Sequence, residues 1–214
     1  MKRQKLITRS AIVLAGGFST RFGEDKGILK LANKPLIEHV TDSVQKIVDE
    51  IIVVTSSKQR VLDYAGFLTP STKFAVDLYD SKSPLMGALT GFNAAEGEYS
   101  LLLPFDTPFI SGEVISLLFN LCEKKAATIP RWPNSQIEPL HAVYRTRLAL
   151  RAAESAMAEG RLDVRAMIEK LHGVRYVSTL LIQQIDSKFD TFFNINTPAD
   201  LRRAILKMDP ENQR

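Results

Sequence analysis

Short runs of consecutive apolar residues alternate with helical patterns along most of the chain. Ala11-Ile12-Val13-Leu14 reads as a buried strand that stops at Gly16-Gly17. Residues 35–49 predict a helix, with Leu36, Ile37, Val40, Val44, Ile47 and Val48 on one face. Residues 51–55 predict a second buried strand and residues 73–77 a third. Residues 100–104 predict a fourth, closed by its own Pro104. Helices are predicted over residues 86–96 and 112–125, a strand over 138–144, and an Ala- and Leu-rich helix over 146–159. Phe192-Phe193-Asn194-Ile195-Asn196 predicts a last short strand. Thr197-Pro198-Ala199-Asp200 then opens a helix, with Thr as N-cap, Pro at the first helical position and Asp in the first turn. Unbroken apolar strands alternating with helices imply a three-layer α/β fold. Its sheet is mainly parallel and Rossmann-like, with helices on both faces. No repeat or linker divides the sequence, so one domain over residues 1–214 is expected.

Composition narrows the function more than the fold. A hydrophobic share of 45% against 24% charged residues is enough for a core and excludes a disordered chain. The net charge of +4 is mild and suits an anionic substrate. No basic stripe or stacking-aromatic motif points to nucleic acid. Nothing approaches the length of a membrane span. The single cysteine, Cys122, excludes an intramolecular disulfide and a cysteine metal site, and its apolar surroundings read as core. The apolar run after the basic start is too short for a signal peptide, so a cytoplasmic location is expected. His39, His141 and His172 show no metal-ligand spacing. His172 precedes Gly173 at a helix end, where a capping role fits.

The chemistry concentrates in residues 14–26, directly after the first strand. In an open α/β sheet, ligands bind at the carboxyl ends of strands. Gly16-Gly17 lets backbone N–H groups approach anionic oxygens closely. Ser19, Thr20, Arg21 and Lys26 add hydroxyls and two cations, a set suited to a triphosphate. The spacing matches neither a Walker A loop nor the dinucleotide-binding glycine pattern. Asp106 follows another apolar strand between Pro104 and Pro108, where it could ligate Mg²⁺ or cap the turn near Thr107. Asn194 and Asn196 alternate along the last predicted strand, which would turn both amides to one side. His141 is a weaker contact candidate, and Trp132 could stack on a flat ligand or pack internally. No Ser/His/Asp arrangement argues for a hydrolase.

The stretch Leu14-Ala15-Gly16-Gly17-x-Ser19-x-Arg21-x-Gly23-x-Asp25-Lys26 resembles the signature of the molybdenum cofactor guanylyltransferases. Leu31-Ala32-Asn33-Lys34-Pro35-Leu36, Pro84-Leu85-Met86-Gly87, Asp106-Thr107-Pro108 and Asn194-Ile195-Asn196-Thr197-Pro198 extend the resemblance to about residue 201. Phe22, Asn33, Ser83 and Phe105 stand where that family usually has Met, Gly, Gly and Cys. Thr55 stands where it often has a nucleotide-contacting Asn.

The resemblance implies a Mg²⁺-dependent nucleotidyltransferase that moves GMP from GTP to molybdopterin. It makes Asp106 the metal ligand, and Lys26, Arg21 and Asp106 the catalytic set. Leu14, Ala15, Gly16, Gly17, Lys26, Thr55, Asp77, Asp106, Asn194 and Asn196 become ligand contacts. Implied partners are GTP, the molybdenum cofactor and molybdoenzyme maturation proteins. The rival readings are a cytidylyltransferase on the same cofactor, a sugar-phosphate nucleotidyltransferase and a non-catalytic nucleotide-binding protein. Gly16-Gly17 and Asp106-Thr107-Pro108 are similar to the guanylyl branch.

Overall fold

The computed structural model describes residues 8–16, 26–77 and 83–208. Gly17 and Arg21, two of the expected site residues, lie outside the described residues. In chain order the elements begin with β1 (Arg9–Leu14), β2 (Lys30–Leu31), β3 (Lys34–Pro35), α1 (Leu36–Val44), β4 (Glu50–Thr55) and α2 (Lys58–Ala65). There follow β5 (Lys73–Val76), α3 (Pro84–Ala94), β6 (Tyr99–Pro104), α4 (Gly112–Cys122), β7 (Ala127–Arg131) and β8 (Ala142–Arg145). The chain continues through α5 (Thr146–Ala158), α6 (Val164–Glu169), β9 (Val174–Ser178), α7 (Thr179–Ile182), a 3-10 turn (Asp190–Phe192) and α8 (Pro198–Met208).

Seven strands form one sheet in the order β5-β4-β1-β6-β8-β7-β9. Only β8 runs against the others among its described strands. The strands read as apolar runs because both faces are covered. Ala11, Val13, Ile51, Val53, Leu101 and Leu103 meet α1, α2 and α4 on one side. Ile12, Ile52, Val54 and Leu102 meet α3, α5 and α6 on the other. The expected three-layer, mainly parallel fold is therefore the one observed. At Gly91, α3 crosses β1 so closely that a Cβ would lie 2.3 Å from Ile12 Cγ2, an approach only glycine permits. No helix among the described residues is long and apolar enough to cross a membrane.

Three predicted elements differ. The helix expected over residues 35–49 ends at Val44. Asp49 is drawn away to the start of β1: its N–H donates to the Arg9 carbonyl, and its carboxylate accepts from the N–H groups of Thr8 and Arg9. The strand expected over residues 138–144 contracts to β8. Pro139 has no N–H to donate, and the His141 N–H closes a turn onto the Glu138 carbonyl. Residues 192–196 form no strand, because β6 already has β1 and β8 as neighbours. This segment instead leaves the 3-10 turn as a strap that bonds the turn beyond β6, from the Ile195 N–H to the Asp106 carbonyl at 2.9 Å. β2 and β3 form a hairpin that the apolar pattern does not signal. Its two turn residues, Ala32 and Asn33, have φ of 50° and 65°. Asn tolerates that left-handed conformation, which explains how it can stand at a glycine position.

Candidate active site

The parallel register aligns the carboxyl ends of β4, β1 and β6, with Leu14 opposite both Val54 and Pro104. Chain order reverses between β1 and β6, the place where open α/β sheets bind ligands. Three bonds carry the ladder past the strands: Ala15 N–H to the Val54 carbonyl, Phe105 N–H to the Leu14 carbonyl, and Asp77 N–H to the Thr55 carbonyl. These fix the backbones of the expected site residues on rigid supports.

A cavity of about 250 Å³ opens there. Its walls include Leu14, Gly16, Thr55, Asp77, Ser83, Gly87 and Asp106. Among the described residues, a Cβ built on Gly16 would come no closer than 3.9 Å to Ser56, so their packing does not demand glycine there. The missing side chain instead leaves room in the cavity. The first turn of α3 faces the same space through Ser83, Pro84 and Gly87. Ser83 caps that helix by accepting from the Met86 N–H, and the helix dipole favours negative charge at this end. A larger, open concavity of about 690 Å³ runs between α1 and α4, past Asp42, Lys46, Gly112 and Asn120, but none of its lining residues lies at a strand end.

Lys26 stands at the centre of the polar cluster. Its Nζ donates to Asp106 Oδ2 at 2.5 Å and to Asn196 Oδ1 at 2.9 Å. The Lys26 side chain is 6% exposed and that of Asp106 13%, so water screens this pair weakly. The Phe105 ring lies 5.8 Å from the ammonium. Asp106 Oδ1 is buried and has no hydrogen-bond partner among the described residues. An orphaned carboxylate oxygen in a cavity is a natural acceptor for a cation. No cluster of three His, Cys, Asp or Glu side chains among the described residues could cage a metal. Mg²⁺ sites commonly use one or two carboxylates, with the remaining positions filled by substrate phosphates and water.

The other expected residues divide. Thr55 is buried in the cavity wall, and its hydroxyl donates to the Ser57 carbonyl at 3.1 Å. Asn194 and Asn196 do not act as the pair expected from a strand. The Asn194 amide folds back onto the Phe192 carbonyl, while Asn196 reaches Lys26. The strap's exit is fixed by a reciprocal cap, with Asp200 taking the N–H groups of Asn196 and Thr197 and donating its own to Thr197 Oγ1. The Arg203 guanidinium, with help from Thr197, outweighs burial and holds the Asp200 carboxyl down to about 2.

His141 is 1% exposed and neither ring nitrogen has a partner, so it packs beneath the site. Trp132 is half-buried and packs against Phe189 and Phe192. Cys122 is core, as expected. Arg60 of α2 was not visible as a candidate. Its buried guanidinium donates to the Ala15 carbonyl at 3.0 Å and braces the start of the glycine loop.

Residues 11–174 match the MobA-like NTP transferase domain. A protein of Methanosarcina mazei named "Probable molybdenum cofactor guanylyltransferase" is 35% identical over 209 residues, covering 95% of this chain and 93% of that one. The molybdenum cofactor guanylyltransferase of Desulfosudis oleivorans is 32% identical, covering 91% of this chain and 93% of its own. Among solved structures, molybdopterin-guanine dinucleotide biosynthesis protein A of Archaeoglobus fulgidus superposes with a TM-score of 0.78 at 27% identity, over 91% of this chain and 96% of that one. The chain therefore belongs to the MobA-like NTP transferase family, alongside the molybdenum cofactor guanylyltransferases.

Proposed function

We propose that this nucleotidyltransferase moves GMP from GTP to the terminal phosphate of molybdopterin in the cytoplasm, releasing pyrophosphate and forming molybdopterin guanine dinucleotide. The observation that carries the reading is the Lys26–Asp106–Asn196 cluster at the switch point, with Lys26 buried and Asp106 Oδ1 left unpartnered among the described residues. The names of its relatives support guanine and molybdopterin as the substrates.

The acceptor phosphate is already a nucleophile at neutral pH, so no general base is needed. The protein's task is to position two phosphates and offset charge. Gly16 offers its backbone N–H to the triphosphate across a space that no described side chain fills, and Gly17 is assigned to the same cradle. The α3 N-terminus adds partial positive charge on the same wall. Lys26 holds its ammonium where the leaving pyrophosphate gains charge, steadied by Asn196, and Arg21 is assigned to the same leaving group. Asp106 would hold Mg²⁺ through Oδ1, and the ion would supply Lewis-acid polarisation of phosphate oxygens. Thr55 and Asp77 sit on the cavity wall where they can reach the nucleoside.

Calorimetry across GTP, CTP, ATP and UTP with Mg²⁺ tests the assignment. GTP should bind at least about tenfold more tightly than CTP, about 1.4 kcal/mol. Equal affinities, or a CTP preference, would move the chain to the cytidylyl branch. Asp106→Asn strips the buried Lys26 of its ion-pair partner, so it should melt lower and, at matched folded concentration, lose pyrophosphate release. Retained Mg²⁺-dependent turnover in that variant would remove Asp106 from the metal site.

A further inference from the structure

The strap that delivers Asn196 to Lys26 is anchored by aromatic side chains. Its first residue, Phe189, adopts φ of 55°, a left-handed conformation that is costly for a bulky residue. Surrounding contacts hold it there. The Phe189 and Phe192 rings pack against Trp132 at 4.9 and 5.7 Å between centroids. Trp132 Nε1 donates to Glu138 Oε1 at 2.6 Å, which fixes the indole on the β7–β8 connection. The His141 ring meets Phe192 edge-on at 5.3 Å.

Backbone anchors complete the fixture. The Asp186 carboxylate accepts from the N–H groups of Asp190 at 3.0 Å and Thr191 at 2.8 Å. Thr191 Oγ1 accepts from the Ser111 N–H at 3.1 Å. The chain beyond Phe192 then makes two site contacts: Ile195 N–H to the Asp106 carbonyl, and Asn196 Oδ1 from Lys26. None of these aromatic rings lines the cavity.

We infer that Trp132 is a positioning residue: by clamping Phe189 and Phe192 it sets the strap at the depth where Ile195 and Asn196 hold Asp106 and Lys26 in register. The catalytic part of this inference rests on the proposed function, while the mechanical part does not. Without Trp132, Phe189 loses the packing that offsets its strained backbone, and the chain from Phe189 to Asn196 can lift as a unit. The ammonium would then lose the amide that aims it, while the nucleotide walls at Gly16, Thr55 and Gly87 stay in place. The defect should therefore appear in turnover rather than in nucleotide affinity.

Two measurements decide it. The first is amide hydrogen exchange of the ligand-free protein. In Trp132→Ala, exchange across residues 190–196, including the Ile195 N–H, should quicken by about tenfold or more, the scale of two lost aromatic pairs. The amides of β1 and β4 should be unchanged. Trp132→Phe keeps a ring for both contacts and should retain most of the protection. Unchanged exchange in the strap, or uniform loosening of the whole sheet, overturns the clamp.

The second is a kinetic double-mutant cycle. Trp132→Ala should lower kcat by about tenfold with KM for GTP held, and should cost nothing further in an Asn196→Ala background. Additive losses, or a loss confined to KM, overturn the link to Lys26. Absence of turnover in the unmodified protein would count against the proposed function instead, and the exchange result would still decide the strap.

Discussion

Replacing Lys26 with alanine tests two linked claims, one about stability and one about rate. Lys26 is almost fully buried and directly bonded to Asp106. Removing it leaves a carboxylate with one oxygen already orphaned and the other newly so. Breaking a buried ion pair from one side typically costs about 3–5 kcal/mol, because a desolvated charge loses its partner. For a chain of this size, each kcal/mol shifts Tm by about 2–4 °C, so Lys26→Ala should melt roughly 6–20 °C lower. The rate should fall by about 10²–10³, the scale of losing one fixed donor to a developing charge.

Combining Lys26→Ala with Asp106→Asn separates the two claims. The neutral amide removes the uncompensated charge, so stability should largely return while turnover stays lost. Lys26→Arg keeps the charge but brings a planar fork into a space shaped for an ammonium, and should restore part of the rate. The assays are thermal melting and steady-state pyrophosphate release at matched folded concentrations. An ordinary surface lysine would shift stability by under about 0.5 kcal/mol. If Lys26→Ala melts with the unmodified protein and turns over within about threefold of it, both claims fail.

Gly16→Ala should leave stability within about 0.5 kcal/mol, because its Cβ meets no atom of the described residues closer than 3.9 Å. The same methyl would intrude on the phosphate cradle and raise KM for GTP by about ten- to a hundredfold, the loss of a charge-assisted hydrogen bond. Unchanged KM would move the phosphates off this backbone. His141 gives a pH dependence whose sign is fixed by its burial, which holds the imidazole down to about 3. The fold keeps it neutral while the unfolded chain takes up a proton near 6.5, so its contribution is complete above about pH 6.5 and is lost as pH falls toward 3. Denaturant midpoints from pH 7.5 to 4.5 should therefore fall more steeply for the unmodified protein than for His141→Phe, by up to about 1.4 kcal/mol per pH unit. Parallel slopes would refute that account.

β1, β4 and β6 were legible because each is buried along most of its length and becomes an apolar run, and because Gly16 and Pro104 mark where two of them stop, whereas β7 and β9 were not predicted. The glycine loop stood out as a candidate because its residues are contiguous, though residues 17–25 lie outside the described residues. The pairing of Lys26 with Asp106 and Asn196 joins positions 80 and 170 residues apart, a distance no local pattern spans. The strap was misread for a related reason. Phe192-Phe193-Asn194-Ile195-Asn196 carries a strand-like pattern, but a strand also needs an open sheet edge, and β6 offers none. Arg60 gave no signal, since a buried arginine and a solvated one look alike until the carbonyl it serves is known.

The two ends of the sheet make the strongest case for where function lies. At the amino ends of the strands, burial pushes the Glu50 carboxyl up, yet bonds from Lys73, Ser10 and the Glu96 N–H outweigh it and hold the group below its ordinary value. Those partners lie at 2.7, 2.5 and 3.0 Å. Ser10 Oγ also takes the Gly97 N–H, and Thr146 closes the neighbouring bonds to Gly97 and Ser100. That network is complete, as a buried polar group must be to avoid a net cost. The carboxyl ends hold the same kind of lysine–carboxylate pair, more deeply buried on the lysine side, yet Asp106 Oδ1 is left empty-handed among the described residues. A buried ion pair adds little stability even when its bonds are satisfied, and an incomplete one is a liability. The fold builds a finished network at one end of these strands, so the unfinished one is not a limit of what it can build. An unfinished network at a topological switch point, beside a glycine that packing does not require, is what a site looks like when a ligand supplies the missing partner.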